Sequence, residues 1–484
     1  MILRAISVAA LLPLFAACAP RGDAPAVAPA PAPAPRAAAA PAGDVIDLLI
    51  VNGTVVPIAG PNLEDGVVAI DDGRILAVGP TAELAGRYAA ADTIDASGMA
   101  VLPGLVNAHT HVPMTLFRGI ADDLALMDWL ENYIFPAEAT FVDAEFVRWG
   151  TRLAAAEMIR SGTTTFADMY YFEADIGREA RSAGLRAVVG QTLIDFPVPD
   201  ASTWEQAIAR ARAFVAEFED DPLITPALAP HSPYTVSAEH LVQVRRLADE
   251  LGVPILIHVA ETQDELRQVA ERSGGLGPVA YLDSLGFLGD AVVAAHVVWP
   301  TDAEIATLAA RDVGVVHNPE SNMMLASGVA PVPAMRAAGV DVGLGTDGPA
   351  GSNNDLDMIG EMGSAARLQK VTRGDPRALG ARDVLEMATI GGARALDMDD
   401  RIGSLEPGKR ADVIVVDLSA AHTQPVYDVE SAIVYAARGG DVITTIVDGR
   451  LLMRDRRLLT LDEGAILAKA REYRDRIMAG LTQD

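Results

Sequence analysis

Cysteine is nearly absent from this chain: Cys18 is the only one in 484 residues. That excludes an internal disulfide framework and any cysteine-rich zinc site. Lysine is almost as scarce, at Lys370, Lys409 and Lys469 only, so arginine carries the positive charge. Even so, 38 basic side chains stand against 66 acidic ones, and the net charge of −28 argues against nucleic acid or an anionic membrane surface as a partner. The apolar stretch that opens the chain, Ala5 to Ala17, is too short for a comfortable transmembrane helix. What remains is a globular composition, half apolar and 21% charged, long enough for one large domain and a smaller one.

The N-terminus has the form of an export signal. Arg4 precedes the apolar stretch, which closes in Phe15-Ala16-Ala17-Cys18, a small-small-Cys ending that resembles a bacterial lipoprotein signal. Residues 1–18 are therefore expected to be a signal peptide with Cys18 lipidated, and the protein to be exported and membrane-anchored through that lipid alone. Ordinary cleavage near Ala17 is the alternative, because Phe15 departs from the usual aliphatic residue. Residues 19–43 alternate Ala and Pro, the composition of an extended spacer.

Two β-rich flanks enclose a different middle. Gly- and Asp-Gly-punctuated apolar runs occupy 44–102 and return over 404–463, which predicts one small composite β-sandwich built from both ends. Between them, over 103–403, eight short apolar runs alternate with amphipathic stretches such as Trp204–Phe218, Ala238–Leu251 and Asp302–Arg311. The runs are Val101–Asn107, Thr163–Met169, Arg186–Thr192, Leu223–Ala229, Pro254–Val259, Ala291–Val297, Val313–His317 and Val340–Gly345. The fold class expected is α/β, a (β/α)8 TIM-type barrel, with a doubly wound open sheet as the alternative. Residues 464–484 read as a C-terminal helix.

The histidines narrow the function. Of eight, His109, His111, His231, His258, His296 and His317 fall at or just beyond the C-terminal end of a run; only His240 and His422 lie elsewhere. In a barrel those ends meet at one mouth, and so many buried imidazoles call for a metal. In His109-Thr110-His111 both rings fall on the same side of a strand. With His258 and Asp347 they make three imidazoles and a carboxylate, a set suited to Zn²⁺ or Fe²⁺ with a position left for water. Asp347 alone reads equally as a helix N-cap; its flanking glycines and strand-end place favour the mouth.

Pro103-Gly104, Asn107-Ala108-His109-Thr110-His111, His258-Val259-Ala260-Glu261-Thr262, His296, Asn318-Pro319-Glu320-Ser321-Asn322-Met323 and Gly345-Thr346-Asp347, in this order, resemble the amidohydrolase superfamily. The nearer likeness is to its methylthioadenosine/S-adenosylhomocysteine deaminases and triazine hydrolases. The resemblance spans about Val45 to Glu463 and implies a metal-dependent barrel with a composite β-domain. Dinuclear members bridge two metals with a carboxylated lysine from the fourth strand. Here that run ends Ala229-Pro230-His231 and no lysine lies in any of the eight runs, so one divalent ion per chain is expected.

The expected reaction is hydrolytic deamination. Glu261 is the proton shuttle to a ring nitrogen, His296 polarises the attacking water, and Asp347 takes its proton while touching the metal. The other reading of Glu261 is a solvated carboxylate opening the next helix. The resemblance further implies that Glu138 accepts ribose hydroxyls, Trp129 lines the pocket and His231 hydrogen-bonds a purine. From the residues alone, Glu138 is equally an ordinary helix carboxylate and Trp129 a packed aromatic. Relatives that take S-adenosylhomocysteine supply arginines after the third strand, whereas between Arg186 and Arg210 this chain has no basic residue, which favours a neutral 5′-substituted adenosine. Met324 stands where relatives usually place Lys, and nothing in the sequence explains it. The rivals are hydrolysis of another heterocycle (guanine, a pterin, a triazine) and a lipid-tethered metal- or ligand-binding protein without catalysis. A homo-oligomer stays open.

Overall fold

Gly104 divides the chain between two sheets. A Cβ there would lie 2.0 Å from Thr164 Oγ1, so only glycine lets strand β5 (Met99–Pro103) hand over directly to β6 (Leu105–Thr110). The run expected at Val101–Asn107 is thus two strands, because the residues before and after Gly104 pair with different neighbours. The computed structural model describes residues 45–84 and 86–481. The expected signal peptide, Cys18 and most of what precedes β1 therefore lie outside the described residues. No helix among the described residues is long and apolar enough to cross a membrane.

The first sheet takes strands from both ends of the chain. From the N-terminal side come β1 (Ile46–Val55), β2 (Leu63–Asp71), β3 (Arg74–Pro80), β4 (Ala90–Asp95) and β5; from the C-terminal side come β14 (Val413–Asp417), β15 (Val442–Val447), β16 (Arg450–Arg454) and β17 (Arg457–Leu458). Their order is β17-β16-β15-β14-β5-β1-β2-β3, with β4 beside β1. The antiparallel pairing of β14 with β5, Ile414 opposite Leu102, joins the two flanks. In hydrogen-bond terms the expected sandwich is therefore one continuous mixed sheet. Alternation covers both faces: Leu48, Ile50, Val68 and Ile70 join one core with Val101, Val413 and Ile446, while Leu49, Val67 and Ala69 face another.

The second sheet is the barrel. Strands β6, β7 (Thr163–Tyr170), β8 (Arg186–Leu193), β9 (Ile224–Pro230), β10 (Ile255–Val259), β11 (Val292–His296), β12 (Gly314–His317) and β13 (Val342–Leu344) follow one another in sequence order, all parallel. An isolated parallel bridge from Thr110 to Asp347 brings the last strand back to the first. Helices between strands start on side-chain caps: Asp143, Thr203, Ser237, Thr262 and Thr301 each accept a backbone N–H from the first turn. Val106, Ala167, Val188, Ala227, Leu256, Val293 and Val316 fill the interior, packed on Ala393, Leu396, Met398 and Ile402.

A buried ion pair fastens barrel to sheet. Arg186, the first residue of β8, donates to both oxygens of Asp412 at 2.9 and 3.2 Å, and both side chains are 2% exposed. Asp412→Ala would leave the guanidinium buried without its partner, and we expect it to lose about 3–5 kcal/mol in urea unfolding at pH 7. Arg186→Met with Asp412→Leu should recover most of that. A double variant as unstable as the single one would show that packing, not the unpaired charge, sets the cost.

Candidate active site

The C-terminal ends of the barrel strands bring the polar side chains together. His109 is the penultimate residue of β6 and His111 lies one residue past it; His231 follows β9, His258 sits in β10, His296 ends β11 and Asp347 follows β13. The register between β6 and β7 shifts between Asn107 and Thr110, a local irregularity of the kind that re-aims side chains beside active sites. Four non-glycine residues at these ends have left-handed backbone: Ala260 (φ 53°), His296 (φ 72°), Val297 (φ 44°) and Asp347 (φ 66°). Such conformations cost of order 1–3 kcal/mol each and persist where neighbours over-determine them. Here Glu265 accepts the N–H groups of Ala260 and Glu261, both at 2.7 Å, and the Asp347 N–H donates to the His109 carbonyl at 3.0 Å.

Five groups converge to a few ångströms. Ligand atoms of His109, His258, His296 and Asp347 all lie within 4.8 Å of one another. His109 Nε2 and His111 Nε2 are each 3.2 Å from Asp347 Oδ1. His258 Nδ1 is 2.7 Å from the His231 carbonyl and His111 Nδ1 is 2.6 Å from the Met169 carbonyl. Those carbonyls can only accept, so each Nδ1 carries a proton and each Nε2 is left to face the cluster. The two Nε2 atoms meet at 3.3 Å, so a proton or a metal ion must lie between them; burial lowers His111, but Asp347 beside it raises it to about 9. His109 Nε2 is buried with no hydrogen-bond partner. Burial also pushes the pKa of His109 down to about 4, against the pull of Asp347, and that of His258 well below its usual range. Neutral imidazoles and a carboxylate fit a divalent metal.

His296 and Glu261 stand beside this group. The His296 Nδ1–H donates to Asn322 Oδ1 at 3.0 Å, which turns Nε2 toward Glu261 Oε2, 3.9 Å away. Glu261 is 4% exposed, and burial raises its carboxyl above the usual range, with His296 opposing. Ser321 Oγ donates to Asp347 Oδ2 at 2.7 Å, leaving Oδ1 to the histidines. Burial pushes Asp347 up, but the adjoining His109 and His111 rings hold it well below the usual range.

These groups line a cavity whose other walls are mostly apolar and aromatic, Met114, Leu126, Leu130, Ile134 and Phe135 among them, the make-up of a small-molecule site. His231 is in the wall, its Nδ1 3.1 Å from Thr235 Oγ1 and its pKa driven down to about 3 by burial. Also in the lining, Glu138 lies beside the Tyr170 and Tyr171 hydroxyls; burial raises its carboxyl to about 7, with those hydroxyls and the charge of His111 pulling it down. Trp129 closes the side, its Nε1–H donating to the Ala350 carbonyl at 2.8 Å. The residues singled out from sequence are therefore brought together, Cys18 excepted, which lies outside the described residues. His317 is different: it is fully buried near His296 rather than in the cavity wall, with neither ring nitrogen paired. None of the lysines is near; Lys370, Lys409 and Lys469 bond to Leu379, Ser404 and Glu472.

Several supporting residues escaped the sequence reading. Asp168 Oδ1 accepts from Thr110 Oγ1 and the Val112 N–H, holding the backbone on both sides of His111. Ser321 and Asn322 belong to a quoted motif yet had no role assigned. Glu265 carried a signal only as the acidic residue three positions after the Thr262 cap. Nothing in the sequence ties Tyr170 and Tyr171 to Glu138.

Residues 100–452 match the amidohydrolase family, and residues 66–91 match a bacterial imidazolonepropionase-like composite domain. A 5-methylthioadenosine/S-adenosylhomocysteine deaminase of Syntrophobacter fumaroxidans is 50% identical over 427 residues, covering 88% of this chain and 97% of that protein. A 5′-deoxyadenosine deaminase of Methanosarcina acetivorans is 46% identical over 438 residues, covering 90% and 99%. The crystal structure of an adenosine deaminase from Xanthomonas campestris with bound zinc superposes with a TM-score of 0.88 at 47% identity, over 90% of this chain and 99% of that one. An atrazine chlorohydrolase from Arthrobacter aurescens, at 24% identity and a TM-score of 0.80 over 88% and 99%, shares the fold.

Two measurements test the geometry. Reconstitution with Zn²⁺ followed by elemental analysis should return one ion per chain, lost on Asp347→Ala or His258→Ala; two ions would overturn the single-metal arrangement. The second concerns pH. Burial lowers His231 and His317 from 6.5 to about 3. The unfolded chain therefore binds more protons between those values, so stability is full above about pH 6.5 and falls as pH drops toward 3. His317→Gln should flatten the dependence of unfolding free energy on pH by about 1.4 kcal/mol per unit between about pH 4 and 6. An unchanged slope would mean that His317 keeps an ordinary affinity for protons.

Proposed function

This chain belongs to the amidohydrolase family, and from that premise we propose that it is a metal-dependent hydrolytic deaminase of adenosine-type nucleosides, releasing ammonia and leaving an inosine-type product. The observation that carries this is the pair of buried carboxyls lining one cavity: Glu261 beside the ligand cluster and Glu138 beside Tyr170 and Tyr171. A 6-aminopurine needs a proton donor at its ring nitrogen, and a ribose needs an acceptor for its hydroxyls. A free base or a triazine lacks the vicinal hydroxyls that a ribose offers to Glu138. The relatives named as methylthioadenosine, S-adenosylhomocysteine and deoxyadenosine deaminases, at 50% and 46% identity, support the same substrate class.

His109, His111, His258 and Asp347 are the residues that would hold the metal. Zinc is favoured by the imidazole-rich donor set and by the zinc bound in the Xanthomonas campestris structure. A divalent ion there supplies Lewis acidity that makes water a nucleophile near neutral pH.

The chain's own residues then handle the protons. Glu261, its carboxyl raised by burial, holds a proton and delivers it to the purine ring nitrogen next to the amino-bearing carbon, which makes that carbon electrophilic. His296 presents Nε2 to the attacking water because Asn322 occupies its Nδ1. Asp347 stays ionised and accepts the proton that the water loses. Addition of water oxygen to carbon, transfer of that proton to the amino group and cleavage of the carbon–nitrogen bond release ammonia; the proton on the ring nitrogen remains in the product, and the proton left on the added hydroxyl passes to Glu261, which restores its starting state. Trp129, Leu126, Leu130 and Phe135 wall the site from solvent, which strengthens each charge interaction within it. His231, neutral at working pH, serves the purine as a hydrogen-bond partner.

Glu261→Gln should retain the metal in elemental analysis and lower ammonia release from adenosine by about 10²–10⁴-fold, the span of general acid catalysis. Near-normal turnover by that variant would remove Glu261 from the mechanism, and metal loss would reassign it to the ligand set.

A further inference from the structure

Glu173 takes no part in the proton transfers, yet its carboxyl is fully buried close behind the ligand cluster. It opens the helix Glu173–Ala183 that follows β7. Between strand and helix, Phe172 has left-handed backbone (φ 56°), and its N–H donates to Asp200 at 2.9 Å. This sharp reversal lets the first residue of the helix reach back to the strand the chain has just left.

Glu173 Oε1 accepts the N–H of Tyr170. The peptide unit that carries this N–H also carries the Met169 carbonyl, which meets His111 Nδ1 at 2.6 Å. One peptide plane is thus held by Glu173 at its N–H and by a metal-ligand histidine at its carbonyl. A hydrogen bond at the N–H polarises the carbonyl and fixes the direction from which it orients the imidazole. Asp168 secures the other flank: its Oδ1 accepts the N–H of Val112, the residue after His111, at 2.5 Å.

The remaining oxygens join the two supports. Asp168 Oδ2 and Glu173 Oε2 are buried and have no other partner, and the two carboxyls lie within hydrogen-bond reach of each other. Side by side and out of water, both cannot be ionised. A cation would be an alternative bridge, but no third ligand joins them: among the described residues, the one group of three or more ligand atoms is that of His109, His258, His296 and Asp347. A single proton therefore lies between the carboxyls. Burial and the charge of Asp168 raise Glu173 well above the usual range, with the nearby Asp200 adding to the effect. Asp168 is lifted by burial only to about 6, with His111 and the Val112 N–H opposing. The proton accordingly sits on Glu173.

Resting on the metal-site reading, we propose that Glu173 is a positioning residue for His111: as a neutral acid it donates to Asp168 Oδ2 while accepting the Tyr170 N–H, and so locks together the two supports of that ligand.

Glutamine offers one donor and one acceptor in the same places, and alanine offers neither. Zn²⁺ affinity, measured by competition with a chromogenic chelator, should fall about 10–100-fold in Glu173→Ala and stay within about threefold of wild type in Glu173→Gln. The visible spectrum of the Co²⁺-substituted protein reports ligand geometry, and it should change in Glu173→Ala but not in Glu173→Gln. Infrared difference spectra of wild type against Glu173→Gln at pH 7 should show the loss of one protonated-carboxyl band, a readout that stands even where the alanine variant fails to fold. Equal weakening in Glu173→Gln and Glu173→Ala, unchanged affinity and Co²⁺ spectrum in Glu173→Ala, or no lost acid band would overturn this inference while leaving the metal site intact. Wild-type protein that binds no Zn²⁺ would overturn the metal site and this inference with it.

Discussion

The hydrogen bond from the Asp347 N–H to the His109 carbonyl closes the barrel and sets the site in the same place. Eight parallel strands with short final members, β12 and β13, leave the seam between β13 and β6 thinly paired. Thr110 and Asp347 bridge it, and the side chain of that same aspartate meets both His109 and His111 at 3.2 Å. A metal held by these groups would therefore pin the seam, so that ligand binding and barrel closure share one piece of backbone.

Strain and support are matched around that seam. Ala260, His296 and Asp347 adopt left-handed backbone that their side chains disfavour, each where a strand must leave the barrel while its side chains stay aimed inward. Glu265, Asn322 and Ser321 then bind backbone or side-chain atoms of these residues or of their immediate neighbours. Asp168 does the same for the segment around His111. Glu265 lies in the helix directly after β10, and the other supports lie only one strand along the chain from the residues they hold. The site is held by hydrogen bonds to already buried groups, which is why it can stay ordered while His109 and His258 resist protonation.

Burial tunes the imidazoles and the carboxyls of the cavity in opposite senses. His109, His231 and His258 are kept neutral by burial while Asp347 raises His111, and Glu261 and Glu138 are raised, so that a proton is available at Glu261 and charge is muted at Glu138. Desolvation drives both effects, and the differences come from partners: Asp347 beside histidines stays ionised, whereas Glu261 with a distant His296 does not gain enough to offset its burial.

Much of this was legible in the primary structure. Strand-end histidines, the His109-Thr110-His111 triplet, Glu261 three residues after His258 and Asp347 between glycines all follow from spacing, because strand periodicity and barrel topology send such positions to one mouth. The two β-rich flanks likewise announced a shared domain. Tertiary structure decided the remainder. Pairing of β5 with β14 made one continuous sheet, since pairing partners 300 residues apart leave no local signal. His317, indistinguishable from its neighbours in pattern, turned out to be buried outside the cavity. The roles of Asp168, Asn322, Ser321 and Glu265, and the meeting of Asp168 with Glu173, depend on distances between elements. Periodicity fixes which way a side chain points from its own strand; which atoms it meets is set only when the strands are packed together.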